Sequence, residues 1–474
     1  MPATTCTEAC LLLEDEGPAA GAAELVPPAA ARVCCINAID RDIFRLALPA
    51  LGALVAEPLF LLTDTALVGH LGEVPLAGLS IGSAILQTAI GLLIFLAYAT
   101  TPAVARRLGA GDRPGAIRAG IDGLWLALGI GAAIVVIGLP TSGWVVGLFG
   151  ANPDVTAAAD TYLSLSLWGI PGMLIVIAAN GLLRGMQDTR TPLVVAIGGF
   201  AANGLLNALF IYGFGLGIAG SAIGTVIAQW LMAAVYIVIA VRAARAVDVP
   251  LRPGLAGVGN AAGSGGWLLL RTASLRAAMI ATVFVATDLG VTELATLQIA
   301  LTVFSLLAFI LDALAIAGQA MIGHGLGAAD VRRVSAVTRR LVGHGILGGV
   351  GLGVAVAVLA PFAGPVFSGD EAVHRMLTVT LLVMAAGVPL AGFVFVLDGV
   401  LIGAGDARYL ALTGVVNLLV YVPLLWLVEA LRPEPGMVWL WLAFGLGYIG
   451  ARAITLGLRA RGDRWMVTGT VRRK

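Results

Sequence analysis

The chain is poor in charge. Of its 474 residues 12% are Asp, Glu, Lys or Arg, 59% are hydrophobic, and the mean hydropathy is +0.99. Soluble domains carry about a quarter charged residues, so a water-exposed globular surface is excluded. Lysine is almost missing: Lys474 is the single one, and Arg supplies the other basic side chains. Cysteine is scarce and badly placed for a scaffold. Cys6, Cys10, Cys34 and Cys35 all fall within the first 40 residues, so no disulfide framework is implied. No His stands near Cys34 and Cys35 to complete a metal site, and neither metal nor cofactor is expected. Catalytic motifs are lacking too. There is no Walker A sequence, no Gly-rich fingerprint after a strand, no HExxH and no nucleophile elbow. The chain is therefore not expected to be an enzyme. The formal net charge of +1 gives no reason to expect a nucleic-acid partner.

What is present is a series of apolar runs of about 20 residues, each long enough to cross about 30 Å of hydrocarbon. Hydropathy predicts twelve helices, at 44–69, 76–105, 115–139, 157–183, 191–213, 218–242, 267–289, 294–323, 334–360, 373–402, 408–430 and 437–459. The fold class is an all-α polytopic membrane protein. Links after the even-numbered helices are basic, as at Arg106–Arg107, Arg184, Arg242–Arg245, Arg332–Arg333 and Arg408. Links after the odd-numbered helices are acidic or bare, as at Glu73, Asp154, Glu293 and Asp370–Glu371; Arg375 and Arg432 are exceptions. The positive-inside rule then places both termini in the cytoplasm of a bacterial cell, with the chain in its plasma membrane. Residues 1–40, rich in Ala and Pro and without a basic signal region, read as a disordered cytoplasmic tail. Residues 461–474 read as a basic cytoplasmic tail.

The sequence also repeats. At an offset of 218, "RRLGAGD" (106–112) falls on "HGLGAAD" (324–330), Phe149 on Phe367, Pro171 on Pro389, and "GLLRGMQD" (181–188) on "GVLIGAGD" (399–406). Each unit holds six helices. An even number returns the chain to its starting side, so the units are parallel repeats about a central cleft. The expected organisation is an N-lobe over 41–242, a cytoplasmic linker over 243–266 and a C-lobe over 267–460.

Ionisable groups in hydrocarbon cost about 2.5–3.5 kcal/mol each on insertion scales, so each requires a reason. Glu57 and Asp64 stand two turns apart on one face of helix 1. Each is either a coupling carboxylate or a structural acceptor, and Asp64 is close enough to the outer end for water to reach it. Burial brings carboxylate protonation toward neutral pH in general. Arg271 and Arg276 open helix 7. Arg271 either snorkels to the interface or acts in the cleft. Arg276 lies deeper and calls for a partner, with Asp312 in helix 8 and Asp398 in helix 10 available. Asn180, Gln87, Gln229 and Gln319 are cleft groups or interhelical hydrogen-bonding groups. Asn203 and Asn207 share a face of helix 5.

Residues 45–85, containing "TDTALVGHLG", resemble helix 1 and the start of helix 2 of the multidrug and toxic compound extrusion (MATE) family. They are most similar to its DNA-damage-inducible, DinF-like branch. "NGLLRGMQDTRTPL" (180–193) resembles the same family's helix 4–5 junction. The resemblance covers about 41–460. It implies a twelve-helix antiporter of two six-helix lobes, a monomer in the bilayer, exporting amphiphilic or cationic small molecules against inward protons or Na⁺. It also implies that Asp64 is the helix 1 coupling acid, with Glu57 an additional acid. A sodium-coupled branch carries acids in helices 7 and 10. Asp398 matches the second, but the first falls at Thr282, which cannot carry charge. Proton coupling is the expectation, with Na⁺ coupling the alternative. A lipid-linked precursor flippase would want a strongly cationic cleft. A channel or structural membrane protein would leave the twofold repeat and its buried acids without a use.

Overall fold

The structure, a computed structural model, describes residues 28–470, with side chains from residue 38 onward and the side chain of Glu57 outside the description. All four cysteines, residues 1–27 of the expected tail, and Arg472, Arg473 and Lys474 lie outside it in whole or in side chain.

Twelve membrane spans fill the described residues. They are α1 (Pro28–Gly69), α2 (Glu73–Gly109), α3 (Arg113–Gly147), α4 (Pro153–Leu167 and Ile170–Gly185), α5 (Arg190–Gly213) and α6 (Gly217–Arg245). The second half holds α7 (Leu255–Leu289), α8 (Val291–Gly327), α9 (Val331–Phe367), α10 (Glu371–Gly403), α11 (Ala407–Leu431) and α12 (Gly436–Arg461). The two pieces of α4 meet at a 51° bend. Each half supplies six spans, and the repeat survives to the residue: α2 and α8 are both 37 residues long and start 218 positions apart.

Three of the four repeated Asp positions, all but Asp406, are turn chemistry. Asp112 accepts a hydrogen bond from Gly115 N at 2.8 Å, and its counterpart Asp330 from Arg333 N at 2.8 Å. Each closes the orphan donors of a helix start. Just before them the chain turns through left-handed backbone, at Gly111 (φ 77°) and Ala329 (φ 58°). The αL position favours glycine, and Ala329 sits there at some steric cost. Asp188 serves the α4–α5 junction in the same way, accepting from Arg190 N and Thr191 N, both at 3.0 Å.

Two expected boundaries change. Helix 1 begins by Pro28, so residues 28–40 are helical and not part of a disordered tail. Helix 7 begins at Leu255, twelve residues before the expected start, leaving a short link after Arg245. The Gly-rich stretch 255–266 reads as a linker by composition, but tertiary contacts hold it. Gly254 N donates to Asp122 of α3 at 2.8 Å, and Gly265 packs against the Phe95 ring of α2. Within the expected basic tail, Asp463–Trp465 forms a 3₁₀ turn and Trp465 is 1% exposed.

The two halves meet along α2 and α8 at the arginine-rich end. α2 is mostly buried from Phe95 to Arg106, and α8 from Leu311 to Gly327. Gly109 lies against the His324 carbonyl and Gly327 against the Arg106 carbonyl. The exchange is reciprocal between repeat mates, and small residues permit such close backbone approach. Arg106 then crosses between the halves. Its Nη2 donates to Ala404 O at 2.7 Å, and its Nη1 to Val467 O at 2.8 Å and Gly469 O at 3.0 Å. Gly469 N donates back to Leu326 O at 3.0 Å. At the opposite end Val291, Leu306 and Ile310 of α8 are exposed, and most of α2 before Ile94 is exposed or half-buried. The close backbone contacts between α2 and α8 thus lie at the arginine-rich end.

Candidate ion-coupling and charge-cluster sites

The first site is built by α1, α5 and α6. Asp64 of α1 is 5% exposed. Asn207 Nδ2 of α5 donates to its Oδ1 at 2.9 Å, and Ser221 Oγ of α6 to the same oxygen at 2.6 Å. Asn207 Nδ2 also donates to Asn203 Oδ1 at 3.0 Å, and Asn203 Nδ2 to Thr225 Oγ1 at 3.0 Å. Asn203 and Asn207 are one turn apart, so a single helix face delivers both amides. Gly224 lets α6 approach the Asn207 amide, because a Cβ there would collide with it. Among the described residues, Asp64 Oδ2 receives no hydrogen bond and no basic side chain pairs with the carboxylate. Asn207 Oδ1 is buried and also unpartnered. The site is a carboxylate with one oxygen held by neutral donors and one left over. Only a proton or a cation brought from outside would neutralise it.

The second site, in the other half, has the opposite character. Arg271 of α7 binds Asp398 of α10 through both Nε (3.2 Å) and Nη2. Arg452 of α12 stands 3.5 Å from the same carboxylate. Tyr98 of α2 lies 5.9 Å from the Arg271 guanidinium. With α7 starting at Leu255, Arg271 is about 24 Å along its helix at 1.5 Å per residue. It does not snorkel; it is buried and paired. Asp312 of α8 is half-buried and close enough to Arg271 and Arg184 to feel their charge.

The family model MatE matches residues 49–212 and 269–427, one segment in each half. The chain belongs to the MATE family. It is therefore a multi-pass membrane transporter of the multidrug and toxic compound extrusion class, and not an enzyme. Protein DETOXIFICATION 43 of Arabidopsis thaliana is 29% identical over 494 residues, covering 91% of each chain. DNA damage-inducible protein F of Escherichia coli K12 is 30% identical over 196 residues, 41% of this chain and 43% of that protein. The Vibrio cholerae MATE transporter VcmN in its bent form superposes with a TM-score of 0.82 at 21% identity, covering 91% of this chain and 99% of that one. At that identity the likeness is one of fold.

The remaining candidates of this MATE chain separate. Arg276 does not reach Asp312 or Asp398 as its depth suggested. It is exposed, with its guanidinium against Gly91 of α2, and Asp398 is already taken by Arg271 and Arg452. Asn180 accepts from Tyr236 OH at 2.6 Å inside the first half. Gln319 is buried at the seam against Gly403, with its Oε1 unpartnered. Glu57 lies in α1, and its side chain is outside the described residues. Ser221, Thr225 and Arg452 were not singled out from the sequence. Ser and Thr are too common in helices to stand out, but Arg452 lies well inside the last span, where any arginine needs a partner.

Proposed function

We propose that the protein is a secondary antiporter that exports amphiphilic or cationic compounds in exchange for protons, by rocking its halves about the α2–α8 seam. Asp64 is the coupling carboxylate, and Glu57 is a second acid on the same helix. The observation that carries the reading is the contrast in pairing: Asp398 is neutralised by two arginines, whereas Asp64 is buried with neutral donors on one oxygen only. A proton on Oδ2 would remove the charge without disturbing those donors. Coupling requires that the ion and the substrate prefer different arrangements of the halves. The arginine-rich links support placing both termini in the cytoplasm of a bacterial plasma membrane. The close α2–α8 contacts then lie at the cytoplasmic end.

One observation favours Na⁺ as the alternative. The free oxygens of Asp64 and Asn207, beside two hydroxyls, are hard ligands of the kind Na⁺ takes. Proteoliposomes loaded with a fluorescent cation decide between them. A pH gradient imposed without Na⁺ should drive transport, and a Na⁺ gradient at equal pH should not. Transport under the Na⁺ gradient alone would replace proton coupling with sodium coupling.

A further inference from the structure

A cavity of about 1040 Å³ lies at the arginine-rich end. Its walls come from both halves: α2 around Ala99–Arg107, Asp122 of α3, the first turns of α7 to Trp267, and the start of α11 from Arg408 to Leu412. Neither Asp64 nor Asp398 lines it, and neither do their hydrogen-bonding partners.

Four arginines and two carboxylates reach this space, but most are committed. Arg459 holds Asp406 at 2.8 Å, and Asp122 is taken by Arg118 and the Gly254 amide. Arg106 spans the seam to three carbonyls. Arg107 donates to Ala103 O of its own helix at 3.3 Å, and Arg408 lies 5.8 Å over the Trp267 ring. Among the described residues neither Arg107 nor Arg408 has a carboxylate within ion-pair distance. The rest of the wall is mostly apolar, with Ala99, Ala103, Ala261 and Leu412, and also carries Asn260 and Ser264. Gly263 borders open space, where a Cβ would meet nothing within 4 Å. Trp267 and Leu412 at the rim are exposed, as side chains facing hydrocarbon are.

Two guanidiniums with no carboxylate partner among the described residues, on a mostly apolar cavity bordered by the exposed Trp267 and Leu412, match one ligand class. We propose that the cavity binds an anionic phospholipid from the leaflet at the arginine-rich end. Arg107 and Arg408 take its phosphate, and its chains run past Trp267 and Leu412. Guanidinium is the side chain best matched to phosphate, through paired N–H donors, and an anionic leaflet enriches such ligands beside basic residues. The opposite sign of a cationic export substrate argues that this is not a transport site.

The test places the full-length protein in phosphatidylcholine nanodiscs holding a few mole per cent of photoactivatable phosphatidylglycerol. Cross-links are then mapped by peptide mass spectrometry. Adducts are expected on the peptides covering 257–267 and 408–412. The double substitution Arg107→Gln/Arg408→Gln should lower them at least about tenfold. Gly263→Leu, which fills the space and keeps both arginines, should lower them similarly at an unchanged melting temperature. Undiminished labelling in both variants would overturn the proposal, as would equal labelling by photoactivatable phosphatidylcholine. Protection by millimolar inorganic phosphate, but not by unlabelled phosphatidylglycerol, would make this a soluble-anion site and overturn it as well.

Discussion

Matched positions in the two halves of this transporter carry opposite chemistry. Asp64 in the first half corresponds to Thr282 in the second, 218 residues on. Its neighbours Asn203 and Asn207 correspond to Tyr421 and Leu425. The polar pocket thus becomes a Thr282–Tyr421 hydroxyl pair at 2.7 Å, with Phe444 and Tyr448 packed on the Tyr421 ring. The exchange also runs the other way. Arg271 and Asp398 correspond to Ala53 and Asn180, and the spans α12 and α6 pair Arg452 with an Ala of Ala233–Ala234. Each half keeps one intramembrane carboxylate at these positions, but only the second half supplies its own counter-charge. One backbone repeat has therefore been given an acid with only neutral donors among the described residues and an acid held by two arginines. The contrast teaches that the surroundings of an acid in a membrane core differ even between matched halves.

The arginine-held side should break hardest. Arg271→Ala leaves Asp398 with only the more distant Arg452, and removing one partner of a buried pair costs about 3–5 kcal/mol. Reversible unfolding in micelles should show a loss of that order, and Arg271→Ala/Asp398→Ala should recover part of it. Additive losses would mean that the pair is not a unit. A smaller effect is expected from importing the other half's acid. Thr282→Asp puts a carboxylate where no amide donor waits, at about 2.5–3.5 kcal/mol on insertion scales. Combined with Asp64→Asn it should not restore transport. Recovery of transport would show that the surrounding donors are dispensable. The mildest is Asn207→Ala, which removes one of the two donors to Asp64. A hydrogen bond to a charged group is worth about 1.5–3 kcal/mol. Unfolding should report a loss in that range at alkaline pH, where the carboxylate is ionised, and a smaller one in acid. A pH-independent loss would assign Asn207 to packing alone.

Much of this architecture was legible from residue order. The spans follow from hydropathy, and the repeat from one ungapped offset whose Asp positions proved to be helix caps at Asp112 and Asp330. Asp64 stood out, with Glu57, because an acid in an apolar helix requires a reason. Its partners were less legible. Asn203 and Asn207 share a helical face, but Ser221 and Thr225 are reached only by the packing of α6 on α5. Arg271 was misplaced because Gly and Ala at 255–266 imitate a linker. What makes that stretch helical is its docking on Asp122 and Phe95 of the other half, a contact between distant residues that local composition does not encode. The seam interaction of Arg106 with Val467 and Gly469 was hidden for the same reason.

The central claim is that the unpaired carboxylate of the first half couples protons to export. Asp64→Asn keeps the shape of the side chain and an oxygen for Asn207 and Ser221, and removes titration. It is to be measured as efflux of a fluorescent cation from proteoliposomes under an imposed pH gradient, at matched protein amount and confirmed folding. The account predicts that efflux driven by the gradient is lost while substrate binding remains. Wild-type efflux from the Asp64→Asn protein would contradict it and leave Asp64 a structural acceptor.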